Sequence, residues 1–185
     1  MDVKIIPNML KGAVEIPSSK SASHRMLICA GLSDGVSILT GITMSKDISA
    51  TIKALVSMGA EIDVKDDVIT VNGIYLPHKK CVADCCESGS TLRFLIPVAA
   101  ALGINATFIG EGKLPERPIT PYLREFKSKG IKFDYNNTMP FSISGKLSAG
   151  EYVLEGDISS QFITGLLFAL PLCEEDSIIK LSSAL

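Results

Sequence analysis

A hydroxyl-rich segment that opens an apolar helix recurs three times in this chain, at intervals of about 70 residues. The three segments are SSKSASHR at 18–25, SGSTLRF at 88–94 and SSQF at 159–162. Each leads into an apolar stretch and then a β-like run, in which Ile38, Phe108 and Ile178 occupy equivalent places. A repeat of this length indicates a fold built from copies of one supersecondary unit.

The copies predict a common order of elements, βαβαββ. In copy one these are a strand at 12–17, an apolar helix at about 21–32, a strand at 36–41, an amphipathic helix at about 45–58, and strands at 60–65 and 68–72. We expect repeat units at about 12–73, 79–145 and 150–185. The third unit contains only a strand, a helix and a strand, so we expect it to be truncated and the natural domain to be longer.

The two helices of each copy differ in character. The first is apolar nearly all round, which a helix tolerates when protein surrounds it, whereas the second is amphipathic. We therefore expect an α+β fold, an α/β prism or inverse α/β barrel, with buried helices inside, sheets and amphipathic helices outside, and a pseudo-threefold axis. Pro97 lies inside the second apolar helix and should kink it or cost a hydrogen bond.

Composition excludes several classes of protein. The net charge of −2, from 18 basic and 20 acidic residues, creates no global field to attract nucleic acid or acidic lipid. The apolar stretches are shorter than the roughly 18 residues that a membrane span needs, and no signal-peptide core precedes them, so we expect a cytoplasmic protein. His78, Cys81, Cys85 and Cys86 can be interpreted as a metal cluster or as incidental thiols of a reducing compartment. We expect no metal site.

The starts of the three apolar helices predict an anion site. Helix N-termini carry unpaired N–H groups and partial positive charge, so three starts brought together by the repeat would form a polar bowl. The residues placed there are Lys20, Ser21, Arg25, Gly89, Ser90, Arg93, Arg117, Ser159, Ser160 and Gln161. This set of side chains suits a small ligand that carries phosphate and hydroxyl groups.

Each of these residues also has a purely structural interpretation. Serine at a helix start is commonly an N-cap, and Gly89 can simply permit a tight turn. Arg25 and Arg93 could be core arginines paired with a carboxylate such as Asp47 or Glu87. Lys113 and Arg117 lie in a loop-like stretch, where surface charge is usual. Three segments in register with basic neighbours favour the anion site.

Four motifs resemble those of the enolpyruvyl transferase family, and within it the members that act on shikimate 3-phosphate. The motifs are SSKSASHR, SGSTLRF, ERPI after a glycine-rich loop, and DISSQFITGLLFALPL, and they stand in the family order between Pro17 and Pro171. The family fold has two domains, each of three βαβαββ units. The resemblance implies that residues 1–185 are the N-terminal, shikimate 3-phosphate-binding domain of such an enzyme, incomplete at the C-terminus.

The resemblance also implies a reaction and its partners. The enolpyruvyl group of phosphoenolpyruvate is transferred to the 5-hydroxyl of shikimate 3-phosphate with release of phosphate, a step of chorismate and aromatic amino-acid biosynthesis. No cofactor or metal is implied, and the partners are the two small substrates, without nucleic acid or membrane. The intact enzyme is expected to be a monomer. The missing second domain would supply the main catalytic carboxylate, so the fragment alone is expected to be inactive.

Residue roles follow from the same resemblance. Lys20 is similar to the lysine that touches both substrates and shuttles a proton. The positions similar to shikimate 3-phosphate contacts are Lys20, Ser21, Arg25, Ser159, Ser160 and Gln161. Those similar to phosphoenolpyruvate contacts are Lys20, Gly89, Arg117 and Gln161. Enlargement of the family's equivalent of Gly89 is associated with tolerance to glyphosate. Glu87 departs from the asparagine common at its position, which leaves its role open.

Three other functions are compatible with parts of the sequence. The sister enzymes that act on UDP-N-acetylglucosamine have asparagine after the first lysine and a reactive cysteine before the RP-like segment. Here Ser21 follows Lys20, and no cysteine occurs between Cys86 and Cys173. A related repeat architecture acts on RNA termini, which the acidic balance disfavours. A non-catalytic phosphate-binding repeat domain would not require three sets of anion-binding groups.

Overall fold

The repeat folds into three small sheets packed around five helices. The computed structural model describes residues 3–9 and 11–184. The helices are α1 (Lys20–Leu32), α2 (Lys46–Met58), α3 (Gly89–Ala101), α4 (Thr120–Lys127) and α5 (Ser160–Ala169). The strands are β1 (Val36–Thr40), β2 (Glu61–Lys65), β3 (Val68–Asn72), β4 (Lys80–Asp84), β5 (Asn105–Ile109), β6 (Lys132–Asp134), β7 (Phe141–Ser144), β8 (Glu151–Leu154) and β9 (Ile178–Leu181). Short 3₁₀ helices occupy Leu114–Glu116 and Leu170–Leu172.

Each sheet belongs to one copy of the repeat. The first has the order β1-β3-β2 and is antiparallel, with Ile38 opposite Thr70. The second has the order β4-β5-β7-β6, in which β4 and β5 are parallel and the other pairs antiparallel. The third is the parallel pair β8-β9. The middle copy therefore has the complete predicted order βαβαββ, and the predicted α+β class is confirmed.

The predicted strand at 12–17 is wrong. These residues pair with no strand of the described chain, and the side chains of Val14 and Ile16 are 85% and 87% exposed. A strand needs a neighbour to satisfy its backbone groups, and the β-like composition of this segment cannot supply one. Just after this segment, the hydroxyl oxygen of Ser18 accepts a hydrogen bond from the backbone N–H of Thr43 at 2.8 Å.

Ile38, Phe108 and Ile178 lie in equivalent strands of the three copies, but they do not lie on equivalent faces of those strands. All three residues lie in the strand that follows the apolar helix, yet Phe108 is fully buried while Ile38 and Ile178 are 69% and 58% exposed. Successive side chains of a strand point to opposite faces, so a shift of one residue turns an inward position outward. A constant spacing of residue numbers is therefore too coarse to assign the core side of β1 and β9.

The three apolar helices are buried to different degrees. Almost every side chain of α3 is buried, as the sequence predicted. The other two are exposed along one face, where Met26 of α1 is 42% and Leu167 of α5 is 60% exposed. Helices α1 and α5 are therefore less buried than α3, because no other described element covers those faces. No helix in the described ranges has the length and apolarity to cross a membrane.

The amphipathic helices join neighbouring copies. Helix α2 packs on β4, the first strand of copy two, and α4 packs on β8, the first strand of copy three. Ile48 and Leu55 of α2 are fully buried, in keeping with an amphipathic helix, whereas Val56 is exposed. Gly59 ends α2 with a φ of 119°, a left-handed conformation in which the missing side chain avoids strain.

Pro97 is accommodated by a tyrosine from another helix. Proline has no N–H, so the carbonyl of Arg93 one turn earlier loses its helical partner. The hydroxyl of Tyr122, in α4, lies 2.8 Å from that carbonyl oxygen and 2.8 Å from the carbonyl oxygen of Phe162 in α5. Gly165 makes this close approach possible, since a Cβ atom there would lie 2.2 Å from the Tyr122 hydroxyl and 2.5 Å from the Arg93 carbonyl oxygen. The predicted loss of a helical bond is thus compensated at a junction of three helices.

We expect Gly165→Ala to destabilise the fold by about 1–3 kcal/mol, because the added methyl group displaces Tyr122 and separates α3 from α5. Gly31→Ala is the matched control, since its Cβ would meet only the end of the Leu55 side chain, at 3.1 Å. Alanine also has the better helix propensity, so the control should be close to neutral. Urea unfolding of the two variants measures the difference. Equal stability of the two variants would contradict this assignment.

Candidate functional site

One serine of each recurring segment caps its helix. The hydroxyl oxygens of Ser19, Ser88 and Ser159 accept hydrogen bonds from the backbone N–H groups of Ala22, Thr91 and Gln161, at 3.3, 3.1 and 3.3 Å. Capping oxygens satisfy helix donors that would otherwise lack partners. The structural interpretation of these serines is therefore correct for part of each segment. A capping oxygen is an acceptor, however, so the hydroxyl hydrogen of Ser159 is not used by the cap.

Arg25 links the start of α1 to the start of α5. Its Nη1 donates to the carbonyl oxygen of Ser21 at 2.9 Å and to the Ser21 hydroxyl at 2.5 Å. Its Nη2 lies 3.5 Å from the hydroxyl of Thr164, in α5, and the guanidinium is 5.3 Å from the ring centre of Phe94, in α3. Two of the predicted residues, Ser21 and Arg25, are thus in direct contact, and a third helix lies against them.

Gln161 links the start of α5 to the start of α3. Its Oε1 accepts a hydrogen bond from Nη1 of Arg93 at 2.7 Å, and its Nε2 donates to the hydroxyl oxygen of Ser90 at 2.8 Å. Ser160, the neighbouring predicted residue, is exposed at the first turn of α5. The contacts of Gln161 and Arg25 together bring the N-terminal halves of α1, α3 and α5 close to one another.

Gly89 and Arg117 are also neighbours. Arg117 lies just after the short helix Leu114–Glu116, and a Cβ atom on Gly89 would lie 2.6 Å from its Nη1 and 3.6 Å from Nη1 of Arg93. Glycine therefore leaves room for two guanidinium groups beside the backbone of α3. Burial, and to a smaller extent the charge of Arg117, lowers the pKa of Arg93. This place should attract an anion.

Lys20 contacts a carboxylate that the sequence did not assign to the site. Its Nζ lies 2.6 Å from Oδ2 of Asp47, at the start of α2. The sequence offered Asp47 or Glu87 as partners of Arg25 and Arg93, and that interpretation is wrong: within the described ranges, neither arginine has a carboxylate within 4.0 Å. Glu87 instead lies over Gly112, where a Cβ atom would be 1.8 Å from its Oε1.

A row of buried, hydrogen-bonded side chains begins at His24, one turn after Lys20, and the sequence did not predict it. Nδ1 of His24 lies 2.7 Å from the hydroxyl of Thr51, which lies 2.6 Å from the hydroxyl of Thr91, and Thr91 donates to Ser88 at 2.7 Å. Because Thr91 donates to Ser88, Thr51 donates to Thr91, and the imidazole Nδ1–H donates to Thr51. Nε2 is buried, and no side chain or backbone group in residues 3–9 and 11–184 forms a hydrogen bond with it. Desolvation lowers the pKa of His24 to about 4, against the opposing charge of Asp47.

These polar residues carry a weak sequence signal. His24, Thr51 and Thr91 stand at inward positions of helices whose other inward residues are apolar, and they join α1, α2 and α3. The candidate metal ligands of the sequence do not converge: in the described part of the chain, no three His, Cys, Asp or Glu side chains are grouped to hold an ion. The site is thus a set of cations, hydroxyls and an amide.

The described residues thus combine a repeated arrangement of helices and strands with helix starts that carry cations and hydroxyl groups. A sequence model of the family described as EPSP synthase (3-phosphoshikimate 1-carboxyvinyltransferase) matches residues 5–185. The chain is 50% identical over 187 residues to the 3-phosphoshikimate 1-carboxyvinyltransferase of Clostridium kluyveri, covering 99% of this chain and 43% of that relative. For the protein of the same name from Clostridioides difficile, the identity is 45%, with 99% and 45% covered.

Solved structures agree on the fold. An EPSP synthase from Acinetobacter baumannii superposes with a TM-score of 0.78 at 24% identity, covering 92% of this chain and 40% of that one. The enolpyruvyl transferase NikO from Streptomyces tendae gives a TM-score of 0.57 at 13% identity, covering 85% and 38%. The chain belongs to the EPSP synthase family, and it spans less than half the length of the curated relatives it matches.

We expect acidification to weaken the fold through His24. Between pH 6.5 and about 4 the unfolded chain binds a proton on His24 that the folded chain does not. Stability should therefore fall as the pH falls through this range, by on the order of 3 kcal/mol from this residue. Urea unfolding at both pH values should show a smaller loss in His24→Asn, which keeps a donor for Thr51. An imidazole that titrates near 6.5 by NMR would refute the assignment.

Proposed function

We propose that this chain forms the shikimate 3-phosphate-binding half of an enzyme that transfers the enolpyruvyl group of phosphoenolpyruvate to the 5-hydroxyl of shikimate 3-phosphate, releasing phosphate. The observation that carries the proposal is the meeting of α1, α3 and α5 through Arg25, Thr164, Gln161 and Ser90. These contacts place cations and hydroxyl donors where three helix starts converge. Family membership supports the same activity.

Shikimate 3-phosphate is assigned to the side of the site between α1 and α5. Arg25 lies beside Ser21, and its guanidinium fork is well suited to a phosphate group. The first turn of α5 contributes Ser159, Ser160 and Gln161, whose hydroxyl and amide donors suit phosphate and ring hydroxyl oxygens. Lys20, exposed at the first position of α1, completes this set.

Phosphoenolpyruvate is assigned to the side between α1 and α3. Arg117 lies against Gly89, so an anion bound there would meet a guanidinium and closely approached backbone N–H groups. Gln161 of α5 is assigned to both substrates, because its amide contacts Arg93 and Ser90 of α3. A methyl group at Gly89 would require Arg117 to move, and so would reshape this side of the site.

The chemistry requires proton transfer and stabilisation of anions. Protonation of the vinyl carbon makes the adjacent carbon electrophilic, the 5-hydroxyl oxygen attacks it and loses its proton, and the tetrahedral intermediate then loses phosphate and a proton to form the new enol ether. Lys20 is the candidate proton shuttle, and Asp47 at 2.6 Å holds its ammonium group at the start of α2. Arg25 and Arg117 offset the negative charge of the two substrates throughout.

We expect this chain to bind shikimate 3-phosphate, and Lys20→Ala to bind it at least about tenfold more weakly, which corresponds to about 1.4 kcal/mol. The loss follows from removing a cation at the entrance of the site. Isothermal titration calorimetry measures both affinities. Lys127→Ala, which removes an exposed lysine of α4, is the control and should bind like the parent. Equal binding by all three chains would exclude Lys20 from the site, and heat from UDP-N-acetylglucosamine would favour the sister reaction.

We expect no turnover by these 185 residues alone. Within the described chain, the carboxylate beside the site is Asp47, and it is paired with Lys20 instead of free to accept the substrate hydroxyl proton. Effective catalysis requires reacting groups held on both sides of the substrates. The assay is phosphate release from shikimate 3-phosphate and phosphoenolpyruvate, with the full-length Clostridium kluyveri relative as the positive control. Release that scales with chain concentration and disappears in Lys20→Ala would contradict the expectation.

A further inference from the structure

The side-chain amide of Gln161 is held at both ends. A guanidinium group has donors and no acceptor, so its contact with Arg93 at 2.7 Å identifies the amide atom there as oxygen. The amide nitrogen must then face Ser90, to which it donates at 2.8 Å. This leaves the second hydrogen of Nε2 and the hydroxyl hydrogen of Ser90 without protein partners in the described contacts. Both are therefore available to donate to a ligand.

Arg93 is itself rigidly placed. Its guanidinium lies 5.0 Å from the ring centre of Phe162, and its backbone carbonyl accepts a hydrogen bond from Tyr122. Its buried Nε has no hydrogen-bond partner among the residues that the structure describes. Among the described side chains, no carboxylate neutralises it, and Arg117 is a second cation at Gly89. An arginine in these surroundings is costly unless it supports an anion site.

We propose that Arg93 is a positioning residue, which orients the Gln161 amide so that Gln161 and Ser90 present only hydrogen-bond donors to the bound anion. Without Arg93 the amide could turn by half a rotation and present its oxygen, which would repel phosphate or carboxylate oxygens. Arg93 acts through Gln161 instead of through its own contact with the substrate. The inference deepens the proposed function, since it assigns to Gln161 a role in binding the substrates.

The first test needs no ligand. NMR of the ¹⁵N-labelled chain should show the two Nε2 hydrogens of Gln161 with resonances distinct from those of unrestrained glutamines. In Arg93→Met these signals should move to the positions of a free side-chain amide, whereas Arg93→Lys, which keeps a cationic donor, should retain part of the difference. The control Lys127→Met should leave them unchanged. Unchanged Gln161 signals in a folded Arg93→Met chain would overturn the proposal.

The second test distinguishes positioning from direct contact. Calorimetry with shikimate 3-phosphate is carried out on the parent, Arg93→Met, Gln161→Met and the double variant. We expect each single variant to bind about tenfold more weakly, and the double variant to bind no more weakly than the weaker single one. Multiplying losses would mean that Arg93 contacts the substrate itself and would refute the positioning role. If the parent does not bind, the proposed function fails for this chain, while the NMR experiment still decides the role of Arg93.

Discussion

The candidate site depends on the close packing of α3 against α5 at Gly165. A side chain there would collide with the Tyr122 hydroxyl and the Arg93 carbonyl, so only glycine lets the two helices approach. At the same contact, the Tyr122 hydroxyl donates a hydrogen bond to the Arg93 carbonyl, which Pro97 leaves without a helical partner. The start of α5 is thereby set beside the start of α3, and Gln161 comes within hydrogen-bond reach of Ser90.

Two polar layers lie on this scaffold. The lower is the buried chain from His24 through Thr51 and Thr91, which ties α1 and α2 to α3. Burial lowers the pKa of His24 and so keeps its imidazole neutral. The upper contains the cations and donors of the helix starts, in which Lys20 has a carboxylate partner and the arginines do not. Charge left unneutralised by the protein is what suits this place to anionic substrates. The proposed role of Arg93 adds that the amide between them is also oriented for an anion.

Much of the fold was predictable because it follows from local pattern. Hydrophobic periodicity and capping serines placed the starts of α1, α3 and α5 within a residue or two, and the complete middle copy has the predicted order. The strand predicted at 12–17 is not formed, for the opposite reason. Its composition is typical of a strand, but a strand exists only with a partner strand. The exposed faces of α1 and α5 likewise depend on what packs against them, which composition does not report.

For the site, the sequence by itself determined the inventory: helix starts with serines and basic residues at a spacing of about 70 residues, and the family whose motifs they resemble. Only the tertiary structure decided the pairing. It joined Lys20 to Asp47, Gln161 to Arg93, and Gly89 to Arg117. The physical reason is that hydrogen bonds and ion pairs depend on distance in space to within a few tenths of an ångström, whereas the sequence constrains these residues only through their helices.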